Sequence, residues 1–323
     1  INIGLDIGAI SLKLAAIGKP EDRNLLQSLC LSKGCFRMYP APEQTGGVGP
    51  LVLSDYRRIS GSPIQATFDL LQEFYEVVPE KKIEGIRVTG SGSRTIAKIL
   101  GIYFENEFKA VARMIGTFYP QVRTVFELGG ESSKYLRLER DADTGSCGIV
   151  DYDRSGECAA GTGSFLDQQA QRLQYSVEEV GEVVCSAGCA ARIAGRCSVF
   201  AKSDMIHLQQ KGTPVEEMAY GLCLALVRTF VSSVLAGRTP TAPLAVVGGG
   251  ALNGGILRAL AETFSWPMEN LWVPEDPQSA TALGAALLAI DRPLSVGDVR
   301  HTLRRLEDTV HRAGQELKLL PLG

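Results

Sequence analysis

Residues 1–17 read INIGLDIGAISLKLAAI, in which two apolar runs flank the turn Asp6-Ile7-Gly8. The runs predict two strands, Ile1–Leu5 and Leu12–Ile17, joined as a hairpin. A glycine at such a turn lets an anion approach closely, and successive backbone N–H groups of the turn can bind it. A neighbouring carboxylate, here Asp6, can hold Mg²⁺, directly or through water, and the metal neutralises a polyphosphate. The opening stretch therefore predicts a phosphate-binding hairpin.

The same arrangement recurs further along the chain. Glu127-Leu128-Gly129 lies between two predicted strands, and its acid stands two positions before a glycine, as in Asp6-Ile7-Gly8. A lysine follows seven positions after each acid. An internal echo of this kind predicts two related domains that face one another. The two lysines, Lys13 and Lys134, are candidate phosphate contacts, with solvated strand charges as the alternative interpretation.

A third glycine turn follows the predicted strand Leu244–Val247. Gly248-Gly249-Gly250 leads into a helix predicted at Gly254–Phe264. A turn without side chains leaves room for a flat adenosine, and the N-terminus of the helix offers the positive end of its dipole. Three such turns in this order predict a nucleotide site.

Strands and helices alternate along the rest of the chain, which is typical of an α/β protein whose helices cover mixed sheets. The segment Ser32–Arg58 shows no period and is predicted as a loop with an edge strand. Ser62, Pro63 and Gln65 predict the capped start of a helix. Further strands are predicted at Gly85–Thr89, Val122–Leu128, Lys134–Leu138 and Gly148–Asp151, and further helices at about Ser93–Leu100, Glu107–Phe118, Ser164–Leu173, Ser176–Val184, Phe200–Lys211, Thr213–Gly237 and Gln278–Ile290.

Composition limits the function classes. The chain has 323 residues, enough for two domains, with 45% hydrophobic and 21% charged residues and a net charge of −3. This balance predicts a soluble globular protein and gives no reason to expect nucleic acid as a partner. Eight cysteines in a chain long enough to fold without disulfides indicate a cytoplasmic protein with thiols or a metal. The sequence predicts no membrane-spanning apolar run and no signal peptide before the first strand, so no membrane association is expected. The first residue is Ile1 rather than Met, as in a piece of a longer chain.

Five of the eight cysteines fall between Cys147 and Cys197. Cys158 and Cys197 each stand just ahead of a predicted helix N-terminus, which stabilises a thiolate. Two such thiolates make a soft-metal or iron–sulfur site plausible, and a symmetric dimer would complete the four ligands of a cubane cluster. A zinc site at Cys185 and Cys189, with Cys197 near them in the sequence, is the alternative interpretation. The remaining cysteines are interpreted as small buried hydrophobes: Cys30, Cys35, Cys147 and Cys223.

Three motifs together resemble the actin, sugar-kinase and heat-shock-chaperone superfamily. They are Gly4-Leu-Asp-Ile-Gly8, Phe126-Glu-Leu-Gly-Gly130 and Val247-Gly-Gly-Gly250. The resemblance implies two ribonuclease H-like α/β domains with a cleft between them for ATP and Mg²⁺. The expected divisions are a first subdomain at 1–119, a second at 120–280 with the cysteine segment, and a returning helix with tail at 281–323.

A second resemblance is more specific. Cys158-Ala-Ala-Gly-Thr-Gly-Ser-Phe-Leu-Asp167 and Cys197-Ser-Val-Phe-Ala-Lys-Ser-Asp204 look like the activators of 2-hydroxyacyl-CoA dehydratases and the ATPase subunits of benzoyl-CoA reductases. The resemblance implies an anaerobic homodimer bridged by one 4Fe-4S cluster, with Cys158 and Cys197 as ligands from each copy. Such proteins use ATP to deliver a low-potential electron to a partner iron–sulfur dehydratase or reductase. The segments Ile83–Gly92 and Tyr103–Phe108 also resemble the first half of large fused activases.

The resemblance assigns roles to individual residues. Asp6 and Glu127 are the candidates for positioning water and, for Asp6, for holding Mg²⁺ through water. The expected nucleotide contacts are Gly8, Ala9, Ile10, Ser11, Lys13, Gly129, Gly130, Glu131, Gly248, Gly249, Gly250 and Asn253. Two departures from the superfamily pattern matter for turnover: Ala9-Ile10 replaces small hydroxyl residues, and Glu127 replaces aspartate.

Two other functions are consistent with the nucleotide motifs. A sugar-type kinase would need a catalytic aspartate where this chain reads Cys158-Ala-Ala-Gly-Thr-Gly163. A nucleotide sensor that has lost turnover is favoured by Ala9-Ile10 and Glu127. Phosphate release separates the sensor from an ATPase, and a phosphorylated sugar product would identify a kinase.

Overall fold

The computed structural model describes residues 1–40, 48–59, 61–141, 143, 145–156, 160–195, 197–291, 293 and 301–318. The chain forms two compact units. The first consists of Ile1–Tyr119 with Ser279–Gly323, and the second is Pro120–Gln278.

The strands and helices follow in chain order. The strands are β1 (Asn2–Ile7), β2 (Ser11–Ile17), β3 (Phe36–Tyr39), β4 (Leu51–Ser54), β5 (Arg57–Arg58), β6 (Gly85–Thr89), β7 (Thr124–Leu128), β8 (Ser133–Arg140), β9 (Cys147–Arg154), β10 (Leu244–Val247) and β11 (Leu271–Trp272). The helices are α1 (Arg23–Ser32), α2 (Pro63–Tyr75), α3 (Ser93–Leu100), α4 (Glu107–Phe118), α5 (Gly163–Arg172), α6 (Val177–Val183), α7 (Ser198–Gln210), α8 (Val215–Phe230), α9 (Gly254–Phe264), α10 (Ala280–Asp291) and α11 (Thr302–Lys318).

Each unit contains a mixed sheet built on the same plan. In the first, the strand order is β3-β4-β2-β1-β6, with β5 also paired to β2. In the second, the order is β11-β10-β7-β8-β9. β1 and β7 each form an antiparallel hairpin with the next strand and pair in parallel with a later one, β6 or β10. The predicted α/β class with mixed sheets is therefore confirmed.

In the first unit, small residues bring α10 against the sheet. A Cβ at Gly4 would lie 2.1 Å from the backbone oxygen of Ala282, and one at Gly284 would lie 1.8 Å from that of Ala110. No side chain fits at either position, because the neighbouring atoms belong to backbone. The alanine- and glycine-rich sequence of α10 thus fixes the position of β1, whose end carries Asp6.

In the second unit, α8 lies in the centre of the core. Val215–Leu235 is the one helical stretch, among the described residues, with the length and apolar character of a membrane span, contrary to our expectation that no run would reach that length. Its apolar window is 72% buried inside the unit, as in the core helix of a folded domain. The Phe230 ring packs edge-on against Phe126 of β7, with centroids 4.8 Å apart.

The prediction for Ser32–Arg58 was incomplete. β3, β4 and β5 lie in its described part, and the preceding helix α1 was not predicted. All four residues of β4 are buried, since β4 pairs with both β2 and β3. Strands this short have no readable period, and their conformation depends on the neighbouring strands.

The described part of the tail, which was expected within 281–323, contains helix α11. Leu306 on α11 is fully buried in the core of the first unit. The Thr302 backbone N–H donates to Glu80 Oε1 at 2.8 Å, and Arg305 Nη1 donates to the Leu100 oxygen at 2.5 Å.

The helix caps were predicted in part. Ser62 caps α2, but the Gln65 side chain donates to Asp69 rather than completing a capping box. The predicted helix after Ser176 is α6, which begins with a capping box formed by Ser176 and Glu179. α8 is shorter than the predicted Thr213–Gly237: it begins at Val215 after the N-cap Pro214, which makes no side-chain hydrogen bond, and a π-helical segment, Val231–Leu235, follows its last residue, Phe230.

Candidate nucleotide site and cysteine segment

The first hairpin places Asp6 directly opposite Lys13 in the β1–β2 register. Lys13 Nζ lies 3.0 Å from Asp6 Oδ2, and the side chains are only 10% and 11% exposed. The Gly8 N–H donates to the Ser11 oxygen at 2.8 Å and closes the turn. The carboxylate therefore lies at the base of a tight turn whose tip, Ala9, is exposed.

The second hairpin repeats this geometry. Glu127 lies opposite Lys134 in the β7–β8 register, and Lys134 Nζ is 2.5 Å from Glu127 Oε2. The same ammonium donates to Ser132 Oγ at 3.1 Å. The Gly129 N–H donates to the Ser132 oxygen at 3.0 Å, as Gly8 does in the first hairpin. The echo in the sequence is thus a structural duplication, down to the ion pair between acid and lysine.

The lysines are neither solvated nor free. Lys13 is 8% and Lys134 is 2% exposed, so each ammonium neutralises its acid in a buried position. Desolvation of both charges offsets much of the attraction in such a pair, but removing one partner would leave the other charge buried and unpaired.

Each turn has backbone donors available for an anion. In the part of the chain that the structure describes, the N–H groups of Ala9 and Ile10 donate to no protein acceptor, and neither do those of Gly130 and Glu131. Backbone N–H groups at a glycine-containing turn are suitable donors to phosphate oxygens. A buried carboxylate beside them is a suitable ligand, directly or through water, for the Mg²⁺ that accompanies a polyphosphate. The residues present therefore fit both groups.

A loop that we did not assign to the site lies against the first hairpin. The Gly92 N–H donates to the Ile7 oxygen at 2.8 Å. Gly90 has φ +97°, and a Cβ there would lie 2.7 Å from Asp6 Oδ1. The sequence Thr89-Gly-Ser-Gly-Ser93 indicates a turn ahead of a helix, but only the parallel pairing of β1 with β6 brings that turn beside Asp6.

The third glycine turn packs against the end of β7. Gly248 has φ +87°, donates its N–H to the Pro277 oxygen at 2.8 Å, and would bring a Cβ to 2.6 Å from the Leu128 oxygen. Gly249 faces open space. Asn253 caps α9 by accepting from the Ile256 N–H at 3.1 Å, and its amide donates to the Val177 oxygen at 2.9 Å. Its side chain thus holds the loop, and its contact with a nucleotide stays a prediction.

Of the two predicted cluster ligands, the structure describes Cys197. This residue is the N-cap of α7, with extended backbone and a half-buried side chain that makes no capping hydrogen bond. The predicted position ahead of a helix is therefore confirmed for Cys197, and a thiolate there would lie at the positive end of the dipole. Cys158 lies outside the described residues. The helix expected after it, α5, begins at Gly163.

The other cysteines provide no metal site within the described ranges, where no three His, Cys, Asp or Glu side chains are grouped to hold a metal. The alternative zinc site at Cys185 and Cys189 therefore has no structural support among the described residues. Burial raises the pKa of the Cys223 thiol to about 12. Burial, followed by a hydrogen bond to Glu73, raises the pKa of Cys35 to about 11.

The fold and the paired hairpins define an ATPase of the actin and sugar-kinase fold class. A solved structure of the activator of the 2-hydroxyisocaproyl-CoA dehydratase from Clostridium difficile, with bound ADPNP, matches 90% of this chain and 94% of its own, with a TM-score of 0.68 and 26% identity. The chain belongs to the BadF/BadG/BcrA/BcrD ATPase family, which it matches over residues 4–289.

Two relatives agree with this assignment. The 2-hydroxyisocaproyl-CoA dehydratase activator of Clostridioides difficile is 31% identical over 58% of this chain, and the aligned part spans 66% of that relative, slightly less than two thirds of its length. One of the subunits of the benzoyl-CoA reductase of Thauera aromatica is 22% identical over 68% of this chain and 78% of its own. The predicted resemblance to dehydratase activators and reductase ATPase subunits is confirmed.

Proposed function

We propose that this protein binds and hydrolyses ATP and uses the energy to deliver a low-potential electron, through a 4Fe-4S cluster, to a partner iron–sulfur enzyme that acts on acyl-CoA substrates. The duplicated hairpin is the observation that carries the ATPase half. Two buried carboxylates, each beside a glycine turn with available N–H donors, are the parts that phosphoryl transfer needs. The family assignment and the helix-capping position of Cys197 support the electron-transfer half.

The chain's own residues would bind the nucleotide as follows. The turn N–H groups after Gly8 and Gly129 donate to phosphate oxygens. Asp6 holds Mg²⁺ through water, and Glu127 orients the attacking water. The ammonium groups of Lys13 and Lys134 counter the charge of the carboxylates and add positive charge to the region that binds the phosphates. The Gly248 turn receives the adenosine.

The cysteines would serve the redox half. Cys158 and Cys197 supply two thiolates per chain, and a second copy of the chain supplies two more. A bound 4Fe-4S cluster supplies a one-electron couple whose potential depends on hydrogen bonds and exposure around the sulfurs. Cys197 is the N-cap of α7 and so lies at the positive end of the helix dipole, which favours a negatively charged metal ligand at this position.

The test of the redox half is anaerobic reconstitution followed by iron and sulfide counting. We expect about four irons per two chains in the native protein. Cys197→Ser should lose the iron, whereas Cys185→Ser, a matched change at an exposed thiol outside the motif, should keep it. Absence of iron from the reconstituted native chain would refute the electron-transfer half.

The test of the ATPase half is phosphate release. Glu127→Gln should lower turnover by about 10²-fold or more, the usual range for losing a group that handles the proton or water. Glu127→Asp keeps a carboxylate, and should retain most of the activity. Nucleotide binding without phosphate release in the native chain would identify a sensor, and a phosphorylated sugar would identify a kinase.

A further inference from the structure

One buried serine connects the second hairpin to both sides of the segment that contains Cys158 in sequence. Ser133 is fully buried and directly precedes Lys134. Its N–H donates to Ser155 Oγ at 3.0 Å, and its oxygen accepts from the Ser155 N–H at 2.8 Å. Its hydroxyl donates to the Gly161 oxygen at 2.7 Å. Three hydrogen bonds from a single residue therefore hold the chain before and after Cys158.

The turn of the same hairpin is hydrogen-bonded to the start of α5. The Gly163 N–H donates to the Gly129 oxygen at 2.9 Å, and the Ser164 N–H donates to the Gly130 oxygen at 2.7 Å. The Ser164 hydroxyl donates to the same Gly130 oxygen at 2.6 Å. The approach is close, because a Cβ at Gly163 would lie 3.3 Å from the Gly129 oxygen. The first turn of α5 therefore rests on the peptide groups of the hairpin turn.

Each peptide group of this turn carries a carbonyl on one side and an N–H on the other. Each peptide unit is planar and trans, so the carbonyl and the following N–H point in opposite directions. The unit whose carbonyl belongs to Gly129 carries the N–H of Gly130, and the unit whose carbonyl belongs to Gly130 carries the N–H of Glu131. These N–H groups donate to no acceptor within the described residues. A phosphate bound to them would polarise or tilt the same peptide planes that hold α5.

A buried glutamine extends the network to the second cysteine. Gln169 of α5 is fully buried, and its Nε2 donates to the Ser198 oxygen at 3.5 Å. Ser198 begins α7, directly after Cys197. The start of α7 is thus connected, through α5, to the hairpin turn.

We infer that Ser133, Ser164 and Gln169 are positioning residues that transmit the nucleotide state of the second hairpin to the start of α7 at Cys197 and to the start of α5, the helix that follows Cys158 in the sequence. The inference rests on the proposed nucleotide binding and goes beyond it, because it places the coupling inside the second unit. A triphosphate and a diphosphate present different phosphate oxygens to the turn N–H groups. The difference in their binding to this turn is the source of the coupling free energy. The physical path is a contiguous chain of hydrogen bonds rather than proximity alone.

The experiment uses the iron-free, reduced full chain with Mg²⁺ and either ADP or a non-hydrolysable ATP analogue. Hydrogen–deuterium exchange reports the amides of Gly163 and Ser164, and alkylation followed by mass spectrometry reports the Cys197 thiol. In the native chain we expect both rates to differ between the nucleotides by about fivefold or more, the low end of ordinary coupling.

The variants separate coupling from folding. Ser133→Ala and Ser164→Ala each remove one side-chain hydrogen bond and keep the backbone ones, so they should reduce the nucleotide-dependent ratio at α5 while nucleotide binding is retained. Ser133→Thr, which keeps the hydroxyl, should restore it. Gln169→Met should remove the response at Cys197 but keep the response at α5. Ser186→Ala, at an exposed serine that bonds only within its own turn, is the matched control.

The experiment distinguishes failure of the proposed function from failure of the coupling inference. If the native chain binds no nucleotide, the proposed function fails and the coupling fails with it. If it binds nucleotide but shows equal rates with both, or if Ser133→Ala keeps the full ratio, the coupling inference is overturned and the proposed function stands. Should Ser133→Ala fail to fold, Ser164→Ala and Gln169→Met decide the question.

Discussion

Lys134 lies directly across the second hairpin from Glu127, with Nζ 2.5 Å from Oε2 and both side chains almost entirely buried. The pair has a counterpart in the first hairpin, so it belongs to the repeated plan of the two units. Truncating Lys134 leaves a buried carboxylate without its ammonium, whereas changing both residues removes both charges. This asymmetry makes the pair testable by a double-mutant cycle.

We expect Lys134→Met to destabilise the second unit by about 3–5 kcal/mol, the range for breaking a buried pair. The double change Glu127→Gln with Lys134→Met should cost less than the single change, because no unpaired charge stays buried. Both tryptophans, Trp266 and Trp272, lie in the second unit, so fluorescence-detected urea unfolding reports that unit. The control is Lys202→Met at an exposed position on α7. Additive costs in the cycle would contradict a coupled pair.

Gly248 and Gly249 provide a matched comparison in the third glycine turn. An alanine at Gly248 would have to adopt φ +87° and place its Cβ 2.6 Å from the Leu128 oxygen, whereas Gly249 has no atom within 4 Å of its Cβ position. Gly248→Ala should lower the free energy of unfolding by about 1–3 kcal/mol or more, because φ +87° with ψ 172° is a backbone conformation that almost only glycine adopts. Gly249→Ala should lie within about 0.5 kcal/mol of the native protein. Equal effects of the two changes, measured by tryptophan fluorescence, would refute the assigned geometry.

Elements with strong local signals could be predicted residue by residue. β6, α3, α4, β10 and α9 have the bounds that their apolar period and flanking glycines, prolines and caps predict. The short strands β3, β4 and β5 could not be predicted in this way, because their order comes from pairing with β2. A four-residue strand carries too few residues to show a period.

The candidate site likewise contains features that could be predicted from the sequence and features that could not. The acids, glycines and lysines of both hairpins follow from the internal echo, since both turns are formed by residues adjacent in sequence. The burial of Lys13 and the position of Gly90 beside Asp6 could not be predicted, because both depend on contacts between distant segments. The hydrogen bonds between the second hairpin and α5 are of the same kind.

The packing of helix α11 against the first unit can be tested with a matched pair of substitutions. Leu306 of α11 is fully buried in the core of the first unit, although its neighbour Arg304 is exposed. Leu306→Ala should destabilise the first unit by about 2–5 kcal/mol, through lost burial and the remaining cavity. Arg304→Ala should change little. Hydrogen exchange in α2 and α3, which pack against α11, is the measurement, and equal protection in both variants would contradict docking of α11.

Cys35 gives a prediction with a defined pH dependence. Burial and the hydrogen bond from its thiol to Glu73 Oε2, 3.0 Å away, raise the pKa of Cys35 to about 11. Because the thiolate is the reacting form, only about one thousandth of the thiol is reactive at pH 8. Alkylation of Cys35 in the folded protein should therefore rise about tenfold per pH unit up to about pH 11. The neutral thiol is favoured by folding, so its contribution to stability is present below the ordinary thiol pKa and is lost as pH rises through about 11.

Replacing Glu73, the acceptor of the thiol hydrogen bond, should shift the pH profile of Cys35 alkylation to lower pH. Glu73→Gln removes the negative charge beside the sulfur and leaves Arg57, which lowers the pKa of Cys35, in place. We therefore expect faster alkylation at pH 8 and an earlier plateau, measured by mass spectrometry of the Cys35 peptide. Asp69→Asn removes a carboxylate of the same helix that does not accept from the thiol, and should leave the profile almost unchanged. A profile that Glu73→Gln does not move would show that burial alone, without the carboxylate, sets the reactivity of this thiol.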